Sequence, residues 1–270
     1  TPKLVHWADK IADELTAAGE KHIIATCITP SGPIHIGNMR EVLTANAIFR
    51  ALKDKGIQAE LLYIADDYDP LRKRYPFLSE KFVEYIGKPL SEIPCPDGCC
   101  ENYAQHFLKP FFESLDKLGI YPKIYLSSEA YQSGKYAKLI KLAFKYKDEI
   151  KKILEEKTGR KVPEDWAPFN VQCQDCSRLN TTVVRDFKND EIVYFCKACG
   201  KEGRVDITKG NGKLSWRIDW PARWVLYEVT CEPLGKDHAV AGGSFDTGKE
   251  IVKIFGGVAP YPVPYEWIYL

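Results

Sequence analysis

Apolar residues at Val5, Ala8, Ile11, Ala12 and Leu15 recur at helical spacing, which predicts an amphipathic helix that Gly19 closes. An apolar run from His22 to Ile28 reads as a strand, and a periodic apolar segment from Val42 to Leu52, ended by Lys53 and Gly56, reads as a helix. Ala59 to Ala65 is a second apolar strand. Strand, helix, strand predicts a parallel unit with a right-handed crossover, whose ligands gather at the strand C-termini. Further on, Tyr103 to Leu118 and Tyr131 to Leu154 read as helices, with Lys123 to Leu126 a short strand between them. The second of these carries apolar Tyr136, Leu139, Ile140, Ala143, Ile150, Ile153 and Leu154 on one face. Its other face carries Lys135, Lys138, Lys141, Lys145, Lys147, Lys151 and Lys152, either solvated beside Asp148, Glu149, Glu155 and Glu156 or available to phosphates. Thr181 to Phe195 reads as a hairpin turning near Lys188, Asn189 and Asp190, Thr247 to Phe255 as a helix, and Tyr265 to Leu270 as a strand-like run.

Between the first strand and its helix lies Thr-Pro-Ser-Gly-Pro-Ile-His-Ile-Gly-Asn, from Thr29 to Asn38. Pro30, Gly32 and Pro33 punctuate the loop, and Gly37 allows a close approach to the helix start. His35 and Asn38, three residues apart, share a face beside backbone N–H groups that have no intrahelical partner. Side-chain donors at the positive end of a helix dipole make a polyanion site.

At 270 residues, with 45% hydrophobic and 12% aromatic content, the chain can bury a sizeable core and suits one large domain with an insertion. A net charge of +1 advertises no global nucleic-acid partner, so any RNA contact must come from a local patch. There is no signal-peptide pattern and no membrane-spanning apolar run, so a cytoplasmic location and no membrane partner are expected.

The nine cysteines fall mostly in short clusters. Cys173-x2-Cys176 and Cys196-x2-Cys199 form two knuckles around the expected hairpin, the spacing of a closed, structural four-thiolate Zn²⁺ site. Cys95-x3-Cys99-Cys100-x5-His106 offers four soft ligands in a loop bent by Pro94, Pro96 and Gly98. A second structural Zn²⁺ is the expectation there, against free cysteines beside a surface His. With four protein ligands each, neither leaves an open position for catalysis.

Asp66, Asp67 and Asp69 follow the second strand directly, where carboxylates could hold Mg²⁺ or a substrate ammonium, or cap a turn. Leu214 to Trp224 places tryptophans at 216, 220 and 224 among Arg217 and Arg223, a density that suggests a site wall sandwiching an apolar stem. Gly235-Lys-Asp-His238 follows, with Asp237 at an expected strand end placed to accept from ribose hydroxyls, and His238 facing the same cleft or satisfied within the core.

The Thr29 to Asn38 string resembles the HIGH motif of class I aminoacyl-tRNA synthetases, in a variant ending in Asn. Taken with Asp66 to Asp69, both cysteine clusters, Trp-Arg-Ile-Asp-Trp-Pro and Gly-Lys-Asp-His in this order, the chain resembles the catalytic domain of class I lysyl-tRNA synthetases, the form typical of archaea and some bacteria. The resemblance implies an α/β, Rossmann-type parallel-sheet domain interrupted by a zinc-binding insertion. Its first half would lie at 1–90, the insertion with both zinc sites at 91–213 (ribbon about 168–208), and its second half at 214–270. It also implies ATP with Mg²⁺, L-lysine and tRNA(Lys) as partners. Thr29, Trp216, His238 and Tyr265 take the lysine-pocket positions, and Ser31, Gly32, His35, Gly37, Asn38, Gly235 and Asp237 the ATP side, with His35 and Asn38 catalytic. The family's second motif, a Lys-Met-Ser-Lys-Ser type loop, is absent, and the expectation is that the chain stops just before it. Rival readings are another class I synthetase, a small nucleotidyltransferase, and a non-catalytic zinc-ribbon RNA-binding paralogue.

Overall fold

The computed structural model describes residues 5–266 and 268. Helix α1 (Trp7–Ala18) is capped by Gly19 as its spacing predicts, and leads into β1 (Lys21–Ile28), α2 (Ile36–Asp54) and β2 (Gln58–Ala65). Then come α3 (Tyr103–Lys117), β3 (Lys123–Leu126), α4 (Ser127–Gln132), α5 (Ala137–Lys145) and α6 (Lys147–Thr158). Short strands follow: β4 (Phe169–Val171), β5 (Thr182–Lys188), β6 (Glu191–Cys196), β7 (Glu202–Asp206) and β8 (Gly212–Leu214). The chain closes with α7 (Trp216–Leu226), β9 (Cys231–Gly235), α8 (Lys236–Ala239), α9 (Ser244–Ile254) and β10 (Tyr261–Tyr265).

Strands β10, β9, β1, β2 and β3 make a parallel sheet in that order. The order reverses between β1 and β9, and in an open parallel sheet the crevice beyond that reversal is where ligands bind. Strand β1 reads as a continuous apolar run because both its faces are covered: Ile24 and Ile28 pack with α1, α2 and α3, whereas Ile23 and Ala25 pack with Trp220, Trp224 and Phe245. Between β3 and β9 the chain leaves the sheet and builds the β5-β6-β7 ribbon. Strand β3 lies within 91–213, the span expected to be the insertion, yet it pairs with β2 in the main sheet.

The helix expected over 131–154 is three helices. Gly134 adopts φ +77°, and a Cβ there would sit 2.7 Å from the Thr208 carbonyl, so the chain turns where only glycine fits. Tyr131 and Tyr136 stack across the break, with centroids 3.9 Å apart. Its lysine face is exposed for the most part, with Lys141 reaching Asp190 at 2.8 Å and Lys152 reaching Glu156 at 3.7 Å. The hairpin turns where expected, because Asn189 and Asp190 both take left-handed φ and so match the twist of the strands they join. The helix expected from Thr247 starts at Ser244. Of the terminal run, Tyr265 ends β10, and 267, 269 and 270 lie outside the described residues. Among the described residues no helix is long and apolar enough to cross a membrane.

Candidate active site

A cavity of about 340 Å³ opens at the sheet's reversal, between the end of β1, the start of α2, the C-terminal half of β9 and the end of β10. It brings together His35, Gly37, Asn38, Trp216, Gly235, Asp237, His238 and Tyr265 from the expected set. Thr29, Ser31 and Gly32 are not among its lining residues. They shape the loop behind it: the Thr29 hydroxyl donates to Asp69 at 3.1 Å, the Ser31 carbonyl accepts from Tyr103 at 2.7 Å, and Gly32 lies against the Phe77 ring.

Helix α2 begins in a reciprocal cap. His35 Nδ1 accepts the Gly37 N–H at 3.1 Å, and the His35 N–H donates to Asn38 Oδ1 at 3.3 Å. An accepting Nδ1 assigns the ring's hydrogen to Nε2, and an accepting Oδ1 leaves the Asn38 amide group to donate. Both side chains therefore present neutral donors to the cavity. A Cβ on Gly37 would lie 2.9 Å from His35 Cε1, so a larger residue there would push the ring out of this cap.

Two further carboxyls line the cavity, Glu41 and Glu232, and neither stands out in the sequence. Glu41 accepts the Cys27 N–H at 2.7 Å and the Tyr265 hydroxyl at 3.1 Å. Burial pushes its carboxyl up to about 8, against the pull of the Cys27 amide. Glu232 accepts the indole N–H groups of Trp220 at 3.0 Å and Trp224 at 2.6 Å, and burial pushes it up to about 7. The only sequence signal for Glu41 is its spacing, one helical turn beyond Asn38. Glu232 lies within an apolar strand and carries no signal at all.

The run from Leu214 to Trp224 is mostly helix, so its three indoles lie along one side of α7 at four-residue steps. Trp216 and Trp220 stack at 5.2 Å and line the cavity, with His238 5.5 Å from Trp220 edge-on. Trp224 does not reach the cavity and instead orients Glu232. Asp237 sits in the first turn of α8, just past the end of β9.

The aspartates after β2 neither stand open to Mg²⁺ or an ammonium nor simply cap a turn. Asp66 and Asp69 hold the buried Lys213 ammonium at 2.5 and 2.6 Å, and Asp66 also meets Arg223 at 3.2 Å. Arg223 in turn meets Asp219 at 2.6 Å, and Asp67 accepts the backbone N–H and hydroxyl of Ser128 at 2.8 and 2.6 Å. Two buried cations need these carboxylates as counter-ions, so the cluster ties β2, β8 and α7 together behind the cavity.

The chain matches the family described as tRNA synthetases class I (K) over residues 5–270. The chain belongs to that family. It is 58% identical to the lysine–tRNA ligase of Methanosarcina barkeri over 269 residues, 98% of this chain and 50% of that protein. Against the lysine–tRNA ligase of Methanocaldococcus jannaschii it is 52% identical over 270 residues, 98% of this chain and 51% of that protein. The chain thus spans about half the length of the relatives it matches. A tyrosyl-tRNA synthetase structure from Archaeoglobus fulgidus, solved with L-tyrosine, aligns at 15% identity and TM-score 0.46, covering 96% of this chain and 59% of that one.

In this chain the two cysteine groups each gather four ligand atoms within 4.8 Å of one another, close enough to hold a metal ion. Cys173, Cys176, Cys196 and Cys199 close the ribbon, with the thiols of Cys173 and Cys199 3.6 Å apart and those of Cys176 and Cys196 3.7 Å apart. Burial pushes the Cys196 thiol up, but the Thr181 hydroxyl and the amides of Cys199 and Ala198 outweigh it and bring it down to about 6. In the loop before α3, His106 Nδ1 lies 3.5 Å from the Cys95 sulfur and 3.2 Å from that of Cys99, while its Nε2 lies 3.7 Å from an Asp97 oxygen. Cys100 completes that group. None of these eight residues lines the cavity.

Proposed function

We propose that this chain, which spans about half the length of the relatives it matches, serves as the catalytic part of a lysine–tRNA ligase, which joins L-lysine to ATP and passes the lysyl group to tRNA(Lys). The observation that carries this reading is the chemistry of the cavity lining: two stacked indoles, Glu232 bonded to the N–H of one of them, and the paired Glu41 and Tyr265. Indole faces suit an alkyl stem, and a cavity-lining carboxyl lifted to about 8 by burial, with no ion-pair partner among the described residues, suits an ammonium.

In the reaction the lysine carboxylate attacks the α-phosphorus of ATP, an α-phosphorus–oxygen bond forms, and pyrophosphate leaves with the electron pair of the bond that breaks. No protein nucleophile is required. His35 Nε2–H and the Asn38 amide donate to phosphoryl oxygens as charge grows on them, with the rigid cap holding both in place beforehand. The N-terminal end of α2 adds its dipole. Gly235 lets ATP approach the end of β9 closely, and Asp237 accepts from the ribose hydroxyls. Mg²⁺ enters with ATP as a phosphate counter-ion, since Asp66 and Asp69 are already engaged by Lys213.

Both cysteine groups fit Zn²⁺. Tetrahedral bonds of about 2.3 Å put sulfurs about 3.8 Å apart, beside the 3.6 and 3.7 Å separations in the ribbon and the 3.8 and 3.6 Å separations among Cys95, Cys99 and Cys100. With four protein ligands each, the ions would cross-link the segments that carry the cysteines.

The deciding experiment is amino-acid-dependent ATP–pyrophosphate exchange and tRNA charging by the full-length protein. Lysine is expected to drive both. Exchange driven by glutamate, cysteine or tyrosine, or by no amino acid, overturns the reading.

A further inference from the structure

The loop from Thr29 to His35 belongs to no helix or strand, yet it delivers His35 and Asn38 to the cavity. It is held from two directions. On one side the Thr29 hydroxyl donates to Asp69. On the other α3 reaches it, where the buried Tyr103 hydroxyl donates to the Ser31 carbonyl at 2.7 Å. Aromatic packing adds a second contact from the same helix. Phe107 meets Phe77 edge-on with centroids 5.7 Å apart, and the Phe77 ring lies so near Gly32 that a Cβ there would be 3.0 Å from it.

The turn of α3 that makes these contacts also carries one member of a metal-ligand group. Tyr103 precedes His106 by three residues, so the two lie on one side of the helix, and the His106 ring packs edge-on against Phe107 at 4.7 Å. Cys95, Cys99 and Cys100 belong to the segment before α3, which has no helix or strand between Glu92 and Tyr103. A metal shared by those three thiolates and His106 would fix this segment to the start of α3. The ribbon's Cys173 and Cys196 pack in a different core from the one that takes Tyr103, Phe107 and the loop's Ile34.

On the reading that this cavity activates an amino acid with ATP, we propose that Tyr103 is a positioning residue for the Thr29 to His35 loop, and that the metal of the Cys95, Cys99, Cys100 and His106 group acts on the chemical step through it. Donors that must meet charge growing on one phosphoryl group depend on their supports. A small displacement of the loop leaves the rest of the cavity able to bind, while His35 and Asn38 lose their alignment. The two cysteine groups share a chemistry and differ in consequence. One steadies the ribbon, the other the loop that carries the phosphate donors.

Tyr103→Phe removes one buried oxygen and keeps the ring, so the fold persists. In the full-length protein it is expected to lower kcat for lysine-dependent ATP–pyrophosphate exchange about threefold to tenfold, the effect of one neutral hydrogen bond, with KM for lysine and the zinc content unchanged. Hydrogen exchange gives a readout independent of activity. The amides of Ser31, His35 and Gly37 each have an acceptor within the loop or its cap, and in the variant they are expected to exchange at least about threefold faster. Cys99→Ser is expected to lose one zinc, speed the same amides and lower kcat, and adding Tyr103→Phe to it lowers kcat by less than the product of the two single effects. Cys176→Ser is expected to lose the other zinc with these amides at the wild-type rate, and chelation of that folded variant then speeds them. Wild-type kcat and loop exchange in Tyr103→Phe overturn the positioning role. Multiplicative effects in the double variant, or loop exchange indifferent to the loss of the Cys99 zinc, overturn the metal's part in it. A wild-type protein without lysine-dependent exchange overturns the parent reading instead, and the loop's hydrogen exchange still decides this one.

Discussion

The Tyr265 hydroxyl donates to Glu41 at 3.1 Å across 224 positions of sequence, joining the end of β10 to the first turns of α2. The contact places at the cavity a carboxyl that has no ion-pair partner among the described residues, and burial holds that carboxyl at about 8. An arriving ammonium meets a protonated acid at neutral pH and must displace its proton.

Lysine binding should therefore release a proton at neutral pH and tighten as pH rises through about 8. Calorimetry in buffers of different ionisation enthalpy reads the release. Glu41→Gln is expected to abolish it and to weaken lysine about 10²-fold, the cost of a hydrogen bond to a charge. The sign for stability is opposite: a carboxyl raised from 4.5 to about 8 stabilises the fold below its ordinary value and loses that contribution as pH rises through about 8. Glu41→Gln should thus raise the unfolding midpoint of the ligand-free protein in alkali; an unchanged midpoint there would count against the buried carboxyl.

His35→Ala in the full-length protein should lower lysine-dependent ATP–pyrophosphate exchange, measured with tRNA present, by ~10²-fold, the usual cost of one transition-state donor. Lysine affinity should stay within about twofold, since the ring faces the phosphate side. An unchanged exchange rate would remove His35 from the chemistry.

Lys213→Ala should destabilise the chain by about 3–5 kcal/mol in urea unfolding, because it removes the ammonium that Asp66 and Asp69 share and leaves the two carboxylates side by side with only Arg223 on Asp66. Asp66→Asn in the same background should cost less than the sum of the two single changes. Additive losses would show that the ion pair is not the connecting element.

Metal analysis of the purified protein should give about two zinc equivalents, with Cys176→Ser and Cys99→Ser each losing one. Chelation should expose the ribbon between β4 and β8 to protease while leaving the parallel sheet protected, since the sheet has its own core. Zinc at one equivalent or none refutes the paired assignment.

Several features were legible because they depend on neighbours in sequence. The β1–α2–β2 unit follows from its apolar runs, the ribbon's knuckles from Cys-x2-Cys spacing, and the turn at Asn189 and Asp190 from residues that tolerate left-handed backbone. The break at Gly134 was hidden, because its cause is the Thr208 carbonyl, far away in the chain. Asp66 and Asp69 looked like ligands for the same reason: Lys213, which consumes them, arrives from β8.

By itself the sequence determined the helix start at His35 and Asn38, the two four-residue groups that could hold a metal ion and the β1–α2–β2 unit, all set by local geometry and periodicity. Only the tertiary structure decided which charges stay available. A carboxylate's role depends on what shares its low-dielectric surroundings, and packing of distant strands leaves Glu41 and Glu232 facing the cavity while it neutralises Asp66 and Asp69.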